Sequence, residues 1–302
     1  MTHPRCDALL PRVSRTFALP IQALPPHLQA PIQTAYLLCR LVDCVEDQAD
    51  LPMSVRSRLY DAFDDALLSE GGVRFQTEAR RVGLGANAAE LELCRHAHEV
   101  FEDLRSLPAH QQESLRFPIL EMSGGMRVFS RRWDTRGALW IQDVPDLERY
   151  CYFVAGTVGI LLDQVFRRQA DSRLPLSSRP TAAVRFGVGL QLVNILKDIA
   201  EDAERGVCFI PQALLSAHGL SAETLLAPRH RDSGRAIVSA LTDLAWEHLR
   251  EAARYTLSWG GPAGQPVRAF CALPLLLAAE TLKLIATGEG VLTPGQNPRI
   301  SR

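Results

Sequence analysis

The 302-residue chain lacks an excess of either charge, a paired-cysteine motif, strand-like alternation, and any apolar run long enough to span a membrane. Its 33 lysines and arginines face 34 aspartates and glutamates, well mixed, for a net charge of −1. With no basic stripe, nucleic acid is not an expected partner. The seven cysteines (6, 39, 44, 94, 151, 208 and 271) are odd in number and scattered, with no Cys-x-x-Cys pair. That argues against a disulfide framework and a structural zinc site, and for a reducing compartment. The segment from Met1 to Arg15 is polar and interrupted by Pro4 and Pro11, unlike a secretion signal. The most apolar late stretch, Phe270 to Ala286, is broken by Glu280 and Lys283 and falls short of the ~20 residues that cross hydrocarbon. A soluble, cytoplasmic protein is expected, which a greasy substrate would still bring to a membrane surface.

What is present is helical periodicity and ample apolar content, 47% of residues. Apolar spacing of the i, i+3, i+4 kind predicts helices over about 27–47, 53–69, 87–106, 109–131, 144–168, 180–204, 221–257 and 266–287. The breaks at Gly71-Gly72, 171–180 and 260–266 are too short for interdomain linkers. One all-α domain is expected, with its core over about 10–290 and a flexible tail over 288–302. Several helices, such as Tyr150–Phe166 and Ala182–Leu196, are apolar on more than one face. Such helices are either buried or line an apolar cavity.

The polar residues set into these helices carry the chemistry. One helix ends in Asp43-Cys44-Val45-Glu46-Asp47, and a later one ends in Asp198-Ile199-Ala200-Glu201-Asp202. Both read D-x-x-E-D, which puts carboxylates at i, i+3 and i+4 on one helical face. Like charges at that spacing repel, and the helix dipole disfavours anions at a C-terminal end. A single such cluster would read as a solvated face. Two with identical spacing, each on an otherwise apolar helix, point to a bound cation. Mg²⁺ fits, because it is held by one or two carboxylates together with substrate phosphates. Arg40, Lys197 and Arg205 lie in register with these carboxylates, and Arg15 sits in Ser14-Arg15-Thr16-Phe17. Each could clamp diphosphate oxygens, although Arg40 reads most simply as an i, i+3 salt bridge. Gln191 and Asn194 share the face of Asp198 and suit either a core hydrogen bond or a metal-water shell. In Tyr150–Gly159, Gly156 and Gly159 each cost roughly 1 kcal/mol against Ala within a helix. They mark a close approach by another helix or by a ligand. Tyr150 and Tyr152 add phenols able to move a proton beside a diphosphate.

Taken together, Ser14–Phe17, Tyr36–Asp47, Tyr150–Gly159 and Gln191–Asp202 resemble, in order and spacing, the successive motifs of the squalene/phytoene synthase family. The resemblance covers roughly residues 10–290. It implies an all-helical isoprenoid-synthase bundle around a central apolar cavity, in which two prenyl diphosphates are joined head to head. It also implies that Asp43, Asp47, Asp198 and Asp202 bind Mg²⁺, and that Tyr150 acts as acid or base. Ser14, Arg15, Phe17, Tyr36, Arg40, Gln191, Asn194, Lys197 and Arg205 fall at family substrate-contact positions. Lys197 stands where arginine is common, keeping the charge but losing the bidentate fork.

Asp43-Cys-Val-Glu-Asp47 is closer to the D-T-V-E-D of squalene synthases than to the D-E-L-V-D of phytoene synthases. Phe270-Cys-Ala-Leu-Pro274 resembles a motif tied to the second, NADPH-dependent half of the squalene reaction, although Phe270 also reads as a core aromatic. The Ala-Gly-Thr-Val-Gly run of 155–159 reads more like the carotenoid branch, and bacterial members mix these features. No G-x-G-x-x-G after a strand marks a dinucleotide site. The expected activity is squalene formation from two farnesyl diphosphates with Mg²⁺ and NADPH. The alternatives are phytoene or dehydrosqualene formation without NADPH, and an inactive relative that binds a partner.

Overall fold

The computed structural model describes residues 2–14, 16–68, 71–136, 141–287, 290–296 and 298, excepting the side chains of 133–136. Among the described residues the chain forms fourteen α-helices. They are α1 (Pro4–Val13), α2 (Ala18–Gln22), α3 (Pro26–Asp47), α4 (Met53–Leu68), α5 (Val73–Val82), α6 (Ala88–Arg95) and α7 (Ala97–Ser106). They continue with α8 (Ala109–Arg136), α9 (Val144–Cys151), α10 (Thr157–Phe166), α11 (Arg179–Glu204), α12 (Gln212–Ala217), α13 (Arg231–Ser258) and α14 (Gly261–Thr287). A π-helical turn, Tyr152–Gly156, joins α9 to α10. The only extended pairing among the described residues is an isolated antiparallel bridge between Ser172 and Trp259.

The periodicity places the long helices α3, α4 and α11 closely, and it misses shorter features for identifiable reasons. Pro4 opens α1 rather than breaking it, because a first-turn residue needs no intrahelical donor, and His3 caps the helix. The segment expected as one helix over 87–106 is split at His96, whose backbone (φ −120°, ψ 21°) leaves the helical region. The helix expected from 221 begins as α13 only at Arg231, after a short 3₁₀ turn at Pro228–His230. α14 starts at Gly261, five residues before the expected 266, with Pro262 in its first turn. The 288–302 segment is not uniformly a loose tail, since Val291 and Leu292 are buried in a 3₁₀ turn and Thr293 accepts a bond from Arg231.

α14 also corrects the length argument against a membrane helix. It runs 27 residues, and an 18-residue window in it has a mean hydropathy of 1.8 with 39% of that window buried. By length and composition it is long and apolar enough to cross a membrane.

The residues gather into two compact units. The first comprises Met1–Arg131, Ile160–Ser172 and Trp259–Phe270, and the second Arg132–Gly159, Arg173–Ser258 and Cys271–Arg302. Three of the five divisions fall inside α8, α10 and α14, and the other two fall between α10 and α11 and at the end of α13. In the first unit α3 packs on α1, α2, α4, α6 and α7. The apolar positions Ile32, Ala35, Leu38, Leu41, Val42 and Val45 read from the sequence are all buried there. Phe63, Phe75 and Phe101 add an edge-to-face trio with centroids 5.6, 5.7 and 6.2 Å apart, an arrangement that suits the ring quadrupole.

In the second unit α11 packs on α9, the π-helical turn and α13. The approach to the turn is close enough to require glycine on both sides. A Cβ on Gly187 would lie 2.0 Å from the Ala155 carbonyl oxygen, and one on Gly159 would lie 2.0 Å from that of Ala183. The glycines of Tyr150–Gly159 therefore serve helix packing. On the other flank, His248 of α13 packs against Gly189 of α11, and its Nε2 sits 2.9 Å from Glu148 Oε1 of α9. Burial lowers the His248 pKa, with Arg185 adding to the effect and Glu148 and Glu247 opposing it.

Two outcomes follow from this packing. Gly187→Ala should destabilise the protein by at least about 1–3 kcal/mol, read as a lower thermal midpoint. Gly124→Ala, on an exposed helical face with nothing within 4 Å of the added methyl, should instead be neutral or stabilising. For His248, the folded pKa lies below the unfolded value of about 6.5, so the unfolded state binds more protons as pH falls. Stability from this group is complete above pH ~6.5 and is lost below it, so the midpoint of His248→Gln should fall less steeply than wild type between pH 7 and 5.

Candidate functional site

Each D-x-x-E-D cluster lies on a helix that is buried almost all the way round. From residue 31 to 45 of α3, only Tyr36, Arg40 and Asp43 are not buried. Their i, i+4, i+7 spacing makes one stripe, which ends at the exposed Asp47. From 186 to 200 of α11, only Leu190, Gln191, Asn194, Lys197 and Asp198 are not buried. Most of the residues singled out from the sequence on these helices are thus accessible stripes, Tyr36, Arg40, Asp43 and Asp47 on α3 and Gln191, Asn194, Lys197 and Asp198 on α11, while Asp202 is buried at 5% exposure.

In the first unit the neighbourhood of the α3 stripe is aromatic and basic. Ser14 Oγ accepts from the Phe17 backbone N–H at 3.0 Å, turning the chain into α2, and the Tyr36 hydroxyl donates to the Val13 carbonyl at 3.1 Å. A row of rings follows, with centroid distances of 5.9 Å for Tyr36–Phe17, 6.5 Å for Phe17–Phe270, 5.7 Å for Phe270–Phe166 and 5.7 Å for Phe166–Trp259. Sequence reasoning found Phe17, Tyr36 and Phe270 but missed Phe166 and Trp259, which no local motif marks. Arg15 lies outside the described residues.

Asp43 is about 30% exposed, yet poor solvation raises its pKa to about 7, with Asp47 adding to the rise and Arg40 opposing it. Arg40 Nη1 is 3.5 Å from Asp43 Oδ2, the i, i+3 contact the spacing suggested. The tighter partner is one the sequence did not reveal. Arg40 Nη2 donates to Glu90 Oε1 at 2.5 Å, and the Glu90 side chain is only 6% exposed. Burial alone would raise the Glu90 pKa, but the bonds from Arg40 and from the Ala86 N–H outweigh it and lower it. The Asn87-x-x-Glu90 spacing is readable as a helix start. Its reach back to Arg40 is not.

In the second unit Gly206, at φ 73°, ends α11, and the Val207 N–H closes the turn on the Asp202 carbonyl at 2.8 Å. That leaves Asp198 and Asp202 in the last turns, as the sequence predicted. Lys197 Nζ lies 3.2 Å from Asp198 Oδ2, and Arg205 donates to Asp202 Oδ1 through a short contact. Desolvation raises both aspartates, against the pull of Lys197 on Asp198 and of Arg205 on Asp202, and carries Asp202 to about 6. Tyr150 is buried (4% exposed) and stacks on Phe209 with centroids 5.0 Å apart. Beside Asp202 the unit carries a recess of about 360 Å³, walled by Ile195, Ile199, Phe209, Ile210 and Leu225.

Among the described residues, no three or more of His, Cys, Asp and Glu converge into a ready-made metal cage. The donors present do fit Mg²⁺, since the hard carboxylate oxygens of Asp43 and Asp47 share an accessible face of α3, and Asp198 is accessible on α11 with Asp202 buried one turn on. That leaves coordination positions for phosphate and water.

Comparison with known proteins places this architecture. A structure of TcSQS with the ligand BPH1237 has a TM-score of 0.85 at 25% identity, covering 99% of this chain and 82% of that one. The squalene synthase HpnC from Alicyclobacillus acidocaldarius shares the fold at a TM-score of 0.64 and 21% identity, over 93% of this chain and 91% of that one. The chain is thus an all-α protein of the isoprenoid-synthase type. Residues 10–302 match the family model described as squalene/phytoene synthase, and the chain belongs to that family. Squalene synthase of Schizosaccharomyces pombe is 26% identical over 281 residues, covering 93% of this chain and 59% of that protein. Squalene synthase ERG9 of Gibberella zeae is 28% identical over 287 residues, covering 95% and 59%. The chain spans 59% of the length of these two curated relatives.

Proposed function

We propose that this chain joins two farnesyl diphosphates head to head in a Mg²⁺-dependent reaction, forming presqualene diphosphate and then, with NADPH as hydride donor, squalene. The observation that carries this reading is the pair of D-x-x-E-D clusters on two otherwise buried helices, with Asp43, Asp47 and Asp198 accessible and Asp202 buried one turn beyond Asp198. Family membership and the squalene synthases among its relatives support it.

Asp43 and Asp47 would hold Mg²⁺ on α3, and Asp198 and Asp202 would hold it on α11. Bound there, Mg²⁺ supplies positive charge that stabilises a departing diphosphate. Arg40, Lys197 and Arg205, each beside one of those carboxylates, would donate to diphosphate oxygens, and Arg15, Gln191 and Asn194 would add further contacts. The C1–O bond of the first substrate breaks with its electron pair leaving on diphosphate. The double bond of the second substrate supplies the pair for the new C–C bond, and loss of one proton closes a cyclopropane. The buried Tyr150 phenol is our candidate to move that proton, alone or with the released diphosphate. Loss of the second diphosphate and rearrangement would then leave a cation, to which NADPH, when bound, would supply hydride. The rings of Phe17, Tyr36 and Phe270 would steady the cations through their faces and keep water away. NADPH enters on the family resemblance alone, because no dinucleotide fingerprint is present. We place the protein in the cytoplasm, with Leu273, Leu276 and Leu284 exposed on α14 (37, 61 and 40%) available to touch a membrane that receives the hydrocarbon.

Purified protein with farnesyl diphosphate and Mg²⁺ should yield squalene only when NADPH is added, as measured by chromatography of the extracted hydrocarbons. Dehydrosqualene regardless of NADPH, or turnover of geranylgeranyl diphosphate alone, would move the assignment to the carotenoid branch. No hydrocarbon from either substrate would favour a partner-binding relative. Asp43→Asn and Asp198→Asn should each abolish turnover with unchanged helical circular dichroism. Tyr150→Phe should slow turnover by about 10²–10⁴-fold.

A further inference from the structure

The sequence offers Arg40 only its i, i+3 neighbour Asp43, and the structure supplies a tighter partner from 50 positions away. Glu90 is 4% exposed, and both of its carboxylate oxygens are engaged. Oε1 accepts from Arg40 Nη2 at 2.5 Å and from Asn87 Nδ2 at 2.7 Å, while Oε2 accepts from the Ala86 N–H at 2.9 Å. Asn87 is itself fixed as the cap of α6, its Oδ1 accepting from the Ala89 and Glu90 N–H groups at 3.0 and 3.1 Å. The turn before it is built around Gly85, whose φ of 128° suits glycine. A Cβ there would lie 2.6 Å from the Leu91 nitrogen. The Gly85 N–H is directed at Gln48 Oε1 at 3.4 Å, and Gln48 follows Asp47 directly. The α5–α6 turn and the first turn of α6 therefore reach α3 on either side of its acidic cluster, through Gly85 at its C-cap Gln48 and through Glu90 at Arg40.

We infer that Glu90 is a positioning residue for the α3 acidic cluster, holding the Arg40 guanidinium off Asp43 so that Asp43 stays open to a metal–diphosphate complex. This rests on the reading of α3 as a Mg²⁺–diphosphate site. The two distances carry the point. Arg40 lies 2.5 Å from Glu90 but 3.5 Å from Asp43, although Asp43 shares its helix at i+3 and Glu90 does not. A guanidinium free of Glu90 would close on the nearest carboxylate and make a fork-like pair with Asp43. That pair would occupy the oxygens a metal needs. Glu90, locked by three donors, takes the tighter bond and fixes the guanidinium beside the cluster rather than upon it. Such outer partners orient the groups that touch a metal, and their loss costs metal affinity even though they never touch the ion.

The test is calorimetric titration of the full chain with Mg²⁺ in the presence of inorganic diphosphate, alongside farnesyl diphosphate kinetics. Glu90→Gln keeps the shape and removes the charge. It should weaken Mg²⁺–diphosphate binding by about 10- to 100-fold and raise the Mg²⁺ concentration needed for half-maximal turnover. In an Arg40→Gln background, the same Glu90→Gln change should cost nothing further, because Glu90 acts through Arg40 alone. Equal losses in both backgrounds, or unchanged binding in the single variant, would overturn the inference. Should Glu90→Gln fail to fold, Asn87→Gly removes one bond to Glu90 at a capping cost of only a few tenths of a kcal/mol and should shift binding in the same direction. Unaltered binding in that variant would count against Glu90. Wild-type protein that takes up no Mg²⁺ with diphosphate would overturn the prenyl-transfer reading itself. A binding wild type with an unaffected Glu90→Gln would overturn only the role of Glu90.

Discussion

Two helices in this protein carry carboxylates that repel one another along a single face, at the end of the helix where the dipole also opposes them. Taken alone, Asp43–Asp47 and Asp198–Asp202 would fray their helices. They stay helical because nearly every other face of α3 and α11 is buried. Burial of side chains such as Leu38, Leu41, Val42, Ile195 and Leu196 contributes about 1.5–3 kcal/mol each, against repulsions of only a few tenths. The packing outweighs the electrostatic cost, and the accessible stripe is where that cost is concentrated.

The same economy governs how α11 is held. Its approach to the Tyr152–Gly156 turn brings a carbonyl oxygen where a side chain would otherwise sit, at Gly187 and again at Gly159. A helix locked this closely has little freedom to slide, so Gln191, Asn194 and Asp198 keep their register on the stripe. The π-helical turn beside it carries one extra residue in its hydrogen-bond loop, a feature frequent near functional sites. Tyr150, just before that turn, stacks on Phe209, and Phe209 in turn walls the recess beside Asp202. The proton-moving candidate and one metal candidate thus share a compact unit whose packing glycines fix.

On the α3 side, rigidity comes from a different source. The row of rings from Tyr36 to Trp259 draws on α3, α10 and α14 and on the segments leading into α2 and α14. Its members lie far apart in the chain, so Phe166 and Trp259 give no local signal, while Phe17 and Phe270 were visible because they sit in motifs. Arg40 shows the same division. Its i, i+3 relation to Asp43 could be read from spacing, but its stronger partner Glu90 belongs to another helix.

The sequence by itself determined the fold class, the two acidic clusters, the face each occupies and their polar neighbours, because helical periodicity is local and each motif lies within a few turns. It also carried the family, since the order and spacing of four motifs survive along the chain. The tertiary structure alone decided that Gly156 and Gly159 serve helix packing, that residues 291 and 292 pack into the fold, and that α6 and α7 are separate helices. It alone paired Arg40 with Glu90 and Phe270 with Phe17 and Phe166. Those outcomes depend on distances between residues remote in sequence, set by how whole helices pack, and no local pattern encodes them.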